Sequence, residues 1–258
     1  MILTFLFGIL VGRTQAQTWQ DVTGNIPGGI PIVQNGGPLA SDGTNLYVNT
    51  GSGVVRTTNG SSFTQTADIE GGSWRFVKVV NGEVWVGDAI ASGHYTYLWR
   101  SSDLGATWNG ASNGMPGEVD IISLEDVTYD EDSGTYWAAS RIGGVYRSND
   151  GTNWTHNRVG LPQVPFVGYS TGEFVIAEGG DAMVAMIGDG TIVPAGIYRT
   201  QNDGASFSRL PDVIPGDPGN FVRIGDRILY TSSGVNLITG GLFITEDFGD
   251  TWTFQNQW

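Results

Sequence analysis

The chain has 258 residues, 40 of them glycine, with no cysteine and a formal net charge of −14. Glycine without a Gly-X-Y period excludes collagen, the spread of aromatic and β-branched residues argues against disorder, and a chain without cysteine gains nothing from disulfides. The acidic balance speaks against nucleic acid and anionic membranes as partners, since both call for basic patches.

The first element is an apolar run over residues 2–11, followed by Gly12, Arg13, Thr14, Gln15 and Ala16. Such a run is too short to cross ~30 Å of hydrocarbon as a helix. A short apolar core with small residues behind it predicts a signal peptide over residues 1–16, cleaved after Ala16, although no Lys or Arg precedes it. The protein is then expected to be secreted, extracellular or periplasmic, with no membrane insertion after signal removal. The competing reading is a buried N-terminal strand. The mature segment, residues 17–258, is long enough to bury its own core.

From residue 17 onward no stretch keeps an apolar helical period over three turns, so almost no helix is expected. Instead one unit recurs five times, over residues 24–66, 67–111, 112–157, 158–210 and 211–258. Each copy carries a short turn: Asn59, Gly60 and Phe63; Asp103, Gly105 and Trp108; Asp150, Gly151 and Trp154; Asn202, Gly204 and Phe207; Asp247, Gly249 and Trp252. The closing aromatics are spaced by 45, 46, 53 and 45 residues, and Trp19 stands 44 residues before Phe63. Upstream, Gly53, Gly144, Gly196 and Gly241 open the run before the turn, and Arg56, Arg100, Arg147 and Arg199 form one column.

In the second copy, strand-like runs at 76–80 and 83–87 are joined by Asn81-Gly82, a two-residue hairpin signal. Four short strands in ~45–50 residues make a propeller blade. The expected fold is all-β, a β-propeller of about five four-stranded antiparallel blades. Either the five blades close a ring, with the strand around Trp19 added at a blade edge, or the chain is the front part of a six- or seven-bladed propeller.

The turns have a physical logic. Their Asp or Asn accepts backbone N–H bonds, as Asx-turns do. Their glycine supplies a positive φ, and their aromatic starts the outer strand and packs on neighbours. They resemble the Asp box (BNR repeat), Ser/Thr-x-Asp-x-Gly-x-Thr/Ser-Trp/Phe, of the sialidase-like β-propeller superfamily in its secreted bacterial type. Trp108 and Trp252 close the full form, Phe207 closes a full-length copy with Asn202 at the Asp position, and Trp154 and Phe63 close copies one residue shorter. The resemblance spans nearly all of residues 17–258.

In that superfamily the box joins the third and fourth strands on the face opposite the ligand, so the resemblance implies that the box carboxylates are structural. It places the ligand face at second-to-third strand loops, here 50–53, 88–95, 140–144, 188–196 and 232–240, and at inter-blade links, here 64–73, 109–120, 156–166 and 210–220. Residues there that break the repeat are the ligand-binding candidates: Trp74, Arg75, Asp88, His94, Tyr95, Arg141 and Asp189, with His156 and Arg158 beside them. Trp74 and Tyr95 either stack on sugars or fill the gap between blades. The Arg column is a repeat feature. Asp42, residues 130–132, Asp181 and Asp226 fall in first-to-second strand hairpins on the other face. The segment 130–134 lacks the spaced oxygens of a Ca²⁺ loop, and His94 and His156 lack ligand spacing, so no metal and no cofactor is expected.

The family's enzymes set a test. A sialidase requires an arginine triad, a Tyr–Glu pair, an acidic Asp and an F/Y-R-I-P element; the nearest match, Phe221-Val222-Arg223-Ile224-Gly225, lacks the proline. A xyloglucanase-like hydrolase requires two carboxylates roughly 5–10 Å apart, for which Asp88 and Asp189 are the candidates. No catalytic residue is assigned. The favoured reading is a secreted non-catalytic binding or scaffold module for glycan or protein, and the alternative is a glycoside hydrolase using carboxylates in the central cleft.

Overall fold

Each repeat folds as a meander, because its β-branched and aromatic residues alternate between two faces and Gly- or Asn/Asp-bearing turns reverse the chain. The structure is a computed structural model that describes residues 23–27, 37–50, 53–69, 74–88, 96–115, 124–140, 144–162, 174–186, 196–211, 217–233 and 241–255. The expected signal peptide and Trp19 lie outside the described residues. Blade 1 comprises β1 (Leu39–Ser41), β2 (Leu46–Thr50), β3 (Gly53–Thr57) and β4 (Thr64–Gln65). Blade 2 comprises β5 (Trp74–Val80), β6 (Glu83–Asp88), β7 (Leu98–Ser101) and β8 (Asn109–Gly110). Blade 3 comprises β9 (Leu124–Asp130), β10 (Thr135–Ser140), β11 (Gly144–Ser148) and β12 (Thr155–Asn157). Blade 4 comprises β13 (Phe174–Glu178), β14 (Asp181–Met186), β15 (Gly196–Thr200) and β16 (Ser208–Arg209), and blade 5 comprises β17 (Asp217–Ile224), β18 (Arg227–Ser233), β19 (Gly241–Thr245) and β20 (Thr253–Gln255).

Strand order within every sheet is sequential and every pairing antiparallel. Among the described residues the only helical element is a 3-10 turn at Thr23–Asn25. The chain is an all-β propeller of five four-stranded blades, as the repeats predict. Inner strands β1, β5, β9, β13 and β17 pack each on the next; among the described residues no comparable packing joins β17 to β1.

The core lies between blades. In the second strands, Tyr47, Trp85, Trp137 and Met183 point to the following blade and join the core clusters that hold its Val86, Ala138, Val184 and Tyr230. Trp85 meets Tyr136 with ring centres 5.5 Å apart, and Trp137 meets Phe207 edge-on at 6.4 Å. Trp85 and Trp137 are completely buried, each contributing more than the ~1.5–3 kcal/mol of a buried aliphatic side chain.

The five turns share one hydrogen-bonding scheme. The hydroxyl of the strand-ending Ser or Thr accepts the glycine N–H, at 2.8–2.9 Å in Ser101–Gly105, Ser148–Gly151, Thr200–Gly204 and Thr245–Gly249. The Asp or Asn oxygen then accepts the N–H beyond the glycine, as in Asp103 from Thr107 at 2.8 Å and Asn202 from Ser206 at 2.9 Å. The two lengths of turn differ in one residue. The longer copies carry two consecutive left-handed residues, Leu104–Gly105, Asp203–Gly204 and Phe248–Gly249; the shorter ones need only Gly60 or Gly151.

The hydrogen bonds also set the acidity of the turns. Thr107 holds the Asp103 carboxyl down at about 2. Burial alone would raise Asp247, but Thr251 and Thr245 outweigh it and leave it at about 2. The Asn153 amide likewise lowers Asp150.

The arginine column clasps these turns from the preceding blade. Arg100 donates to the Asp150 carbonyl at 2.9 Å and lies over Trp85 with 5.7 Å to the ring centre. Arg199 donates to the Phe248 carbonyl at 2.8 Å and pairs with Asp250 at 2.7 Å. Arg147 covers Trp137 and approaches Asp203 at 3.8 Å. The turn glycines are packed from the same side: a Cβ on Gly151 would meet Trp85, one on Gly204 would meet Trp137, and one on Gly249 would meet Met183.

Candidate ligand-binding face

All second strands end at the face opposite the turns, and buried residues gather there: Thr50, Asp88 and Ser140 at their strand ends, Ser232 one residue before the end of β18, and Met186 in blade 4. The expected second-to-third strand loops begin at Thr50, Asp88, Ser140 and Ser232, and in blade 4 two residues beyond Met186. Their inner residues lie outside the described ones, and so do four of the candidates, His94, Tyr95, Arg141 and Asp189.

The three described candidates converge on one corner. Asp88 pairs with Trp74 across β6 and β5, and the next partners are Gly87 and Phe76, so Arg75 is an extra, bulged residue. Blade 3 repeats the feature: Ser140 pairs with Leu124 and Ala139 with Asp126, which leaves Glu125 bulged. Bulges re-aim side chains, and these two aim at each other: Arg75 Nη2 meets Glu125 Oε1 at 3.1 Å, with the Glu125 side chain 0% exposed. The pair ties the inner strands of blades 2 and 3 together at the end opposite the turns. Asn49 in blade 1 completes the corner by donating from Nδ2 to the Trp74 carbonyl at 2.9 Å.

Trp74 is therefore not available to stack on a sugar. It is 7% exposed and packs with Tyr47, Val54 and Val77, filling the gap between blades 1 and 2. Asp88 is fully buried at the end of its strand, its N–H donating to the Tyr97 carbonyl at 2.9 Å. His156, expected in an inter-blade link, lies within β12 and stacks on Tyr146 with ring centres 4.8 Å apart. Arg158, just beyond β12, is exposed.

Sequence reasoning missed Glu125, Asp126 and Lys78. Lys78 is the only lysine in the chain. It is bonded to the buried Asp126, which also accepts N–H bonds from Val127 at 2.8 Å and from Val175 of blade 4 at 3.0 Å. Burial pushes the Asp126 carboxyl up, and Lys78 opposes it. The signal was present in the inner-strand column, where Arg75 and Glu125 align with opposite charge. At the opposite end a cavity of about 390 Å³ opens among Ser41, Lys78, Asn81, Tyr129 and Glu131. Beside it Asp42 sits in its hairpin; burial alone would raise it, but bonds from Asn45 and Thr44 hold it at about 2.

Comparison with solved structures places the chain among β-propellers. A GH74 xyloglucanase from Xanthomonas campestris is similar at 15% identity, covering 84% of this chain and 37% of that one, with a TM-score of 0.57. The extracellular domain of a hybrid two-component system from B. thetaiotaomicron matches at 16% identity over 86% of this chain and 30% of that one, TM-score 0.57. YCF48 bound to D1 peptide matches at 16% identity over 84% and 65%, TM-score 0.50. The chain spans less than two thirds of each, and at these identities the likeness is one of fold. Neither a protein-family model nor a curated protein matches the chain.

Proposed function

We propose that the chain is an exported Asp-box propeller acting as a binding or scaffold module, with a glycan or protein segment held where the second strands end. The observation that carries this reading is the Arg75–Glu125 pair. A glycoside hydrolase needs two carboxylates open to water, roughly 5–10 Å apart. At this face Glu125 is held by Arg75 without exposure, and Asp88 is buried at its strand end. Interlocked bulges instead supply what a binding face needs, a rigid platform beneath variable loops. Asp-box membership is supported by the hydrogen-bonding scheme common to the five turns, and export by residues 1–16. Neighbours of the same fold include an extracellular domain and a protein with a bound peptide.

Ligand contacts are assigned to Arg75 and to His94, Tyr95, Arg141 and Asp189. The test is a glycan and peptide array probed with the purified protein, with reducing-end release from xyloglucan and sialoside cleavage followed in parallel. The expected result is retention of a ligand without turnover, weakened by Tyr95→Ala or Arg141→Ala at unchanged melting temperature. Turnover lost in Asp88→Asn or Asp189→Asn would replace this reading with the hydrolase.

A further inference from the structure

The cavity at the turn end lies apart from the face proposed for ligands. The inner strands β1, β5 and β9 run out there, and their last residues line about 390 Å³ of space. Blades 2 and 3 supply most of the wall. Each of these two is packed by a blade on both sides, so the wall does not depend on where the chain begins or stops. The volume falls within the ~300–1,000 Å³ of small-molecule pockets.

The wall is polar, and its donors and acceptors are mixed. The Lys78 side chain keeps 33% of its surface exposed. The buried Asp126 takes one of its donors and neutralises its charge, which leaves further N–H groups free to donate. Asn81 gives Nδ2 to the Tyr136 hydroxyl at 2.7 Å, so its Oδ1 remains an acceptor. The Ser41 hydroxyl accepts the Gly43 N–H at 3.1 Å and keeps its own hydrogen to donate. Thr128 adds a hydroxyl and Glu131 an exposed carboxylate at the rim. Tyr129 lies against Tyr136 with ring centres 4.6 Å apart, which fixes it as part of the wall.

An apolar ligand would strand these groups, and a covered donor or acceptor without a partner is costly. An anion would have to displace Asp126 from Lys78, and a cation would face the ammonium. A hydroxyl both donates and accepts, so a molecule bearing several of them satisfies the wall. We infer that this cavity binds a small uncharged polyhydroxylated molecule, a mono- or disaccharide, at a site separate from the proposed ligand face.

Labelling with ¹⁵N-lysine tests this, because the only lysine gives a single backbone amide signal, that of Lys78. Glucose, galactose, lactose and dextran are titrated in turn. The signal should shift saturably with at least one of them. Thr128→Val/Glu131→Ala should weaken that response about tenfold at an unchanged melting temperature, as two lost hydrogen bonds would. Tyr95→Ala, in the expected loop at the other end, should leave it as it is. A response to dextran assigns the site to sugar units of a glycan, and a response to the small sugars alone assigns it to free sugars. A signal that moves with none of the four overturns the proposal. So does a shift that survives the cavity double variant, one lost in Tyr95→Ala, or one matched by sodium acetate or ammonium chloride at the same concentration. Because the cavity variant and Tyr95→Ala act at opposite ends, this site and the proposed ligand face fail separately.

Discussion

A single glycine in these turns does two jobs, and the five copies separate them. Every turn glycine has a positive φ, but a Cβ on Gly60 would meet nothing within 4 Å, while one on Gly204 would press on Trp137 at 2.6 Å. Gly60→Ala should therefore cost only the backbone strain of about 1 kcal/mol. Gly204→Ala adds the displacement of a packed tryptophan and should cost about 2–4 kcal/mol; denaturant unfolding of the two variants measures the difference.

The turn carboxylates make a second residue-scale prediction. Asp103 and Asp247 are held at about 2 against an ordinary value of 3.8. A depressed folded pKa means that the stability they contribute is full above the ordinary value and is lost as pH falls through the folded one. Melting temperature should thus fall most steeply between about pH 4 and pH 2. Asn202 already does the same work with an amide, donating from Nδ2 to the Ser206 hydroxyl at 2.9 Å. Asp103→Asn should accordingly fold and show a shallower acid limb in the same melts.

At the scale of elements, the clasps and bulges fix how blades sit on each other. Arg199→Met removes a hydrogen bond to the Phe248 carbonyl and the contact to Asp250, and should cost about 1–3 kcal/mol. Arg75→Met strands a fully buried Glu125 and should cost about 3–5 kcal/mol, most of it recovered in Arg75→Met/Glu125→Gln. Urea melts of the singles and the double give the coupling; additive losses would mean that the pair is not a unit.

These elements also show what the sequence made legible. The turns and strands were readable because their determinants are local: a hydroxyl, an Asp or Asn, a glycine and an aromatic at fixed offsets. The arginine column was readable as repetitive, but its role was not, because the guanidinium groups of Arg100, Arg147 and Arg199 act on the following blade about 50 residues away. Trp74 could be read either as a sugar platform or as packing, and burial decides for packing. The Arg75–Glu125 pair was invisible to periodicity because a bulge is a break in register, and register is set by the partner strand. Lys78 and Asp126 were hidden for a related reason: their meeting depends on how two inner strands line up about the axis.

For the whole molecule, the two ends of the blades divide the work. The turn end holds blades together through hydroxyl, carboxylate and guanidinium bonds among its own residues. The other end gathers buried polar residues at the strand ends, and the segments that follow them differ in sequence in every repeat. The division is most directly tested by measuring the affinity of an array-identified ligand and the melting temperature together, for Arg141→Ala and Tyr95→Ala at one end and Asp103→Asn and Asp247→Asn at the other. The expected result is weaker binding at constant melting temperature for the first pair, and a changed acid melt at constant affinity for the second. Binding abolished by the turn substitutions, with the loop substitutions silent, would contradict it.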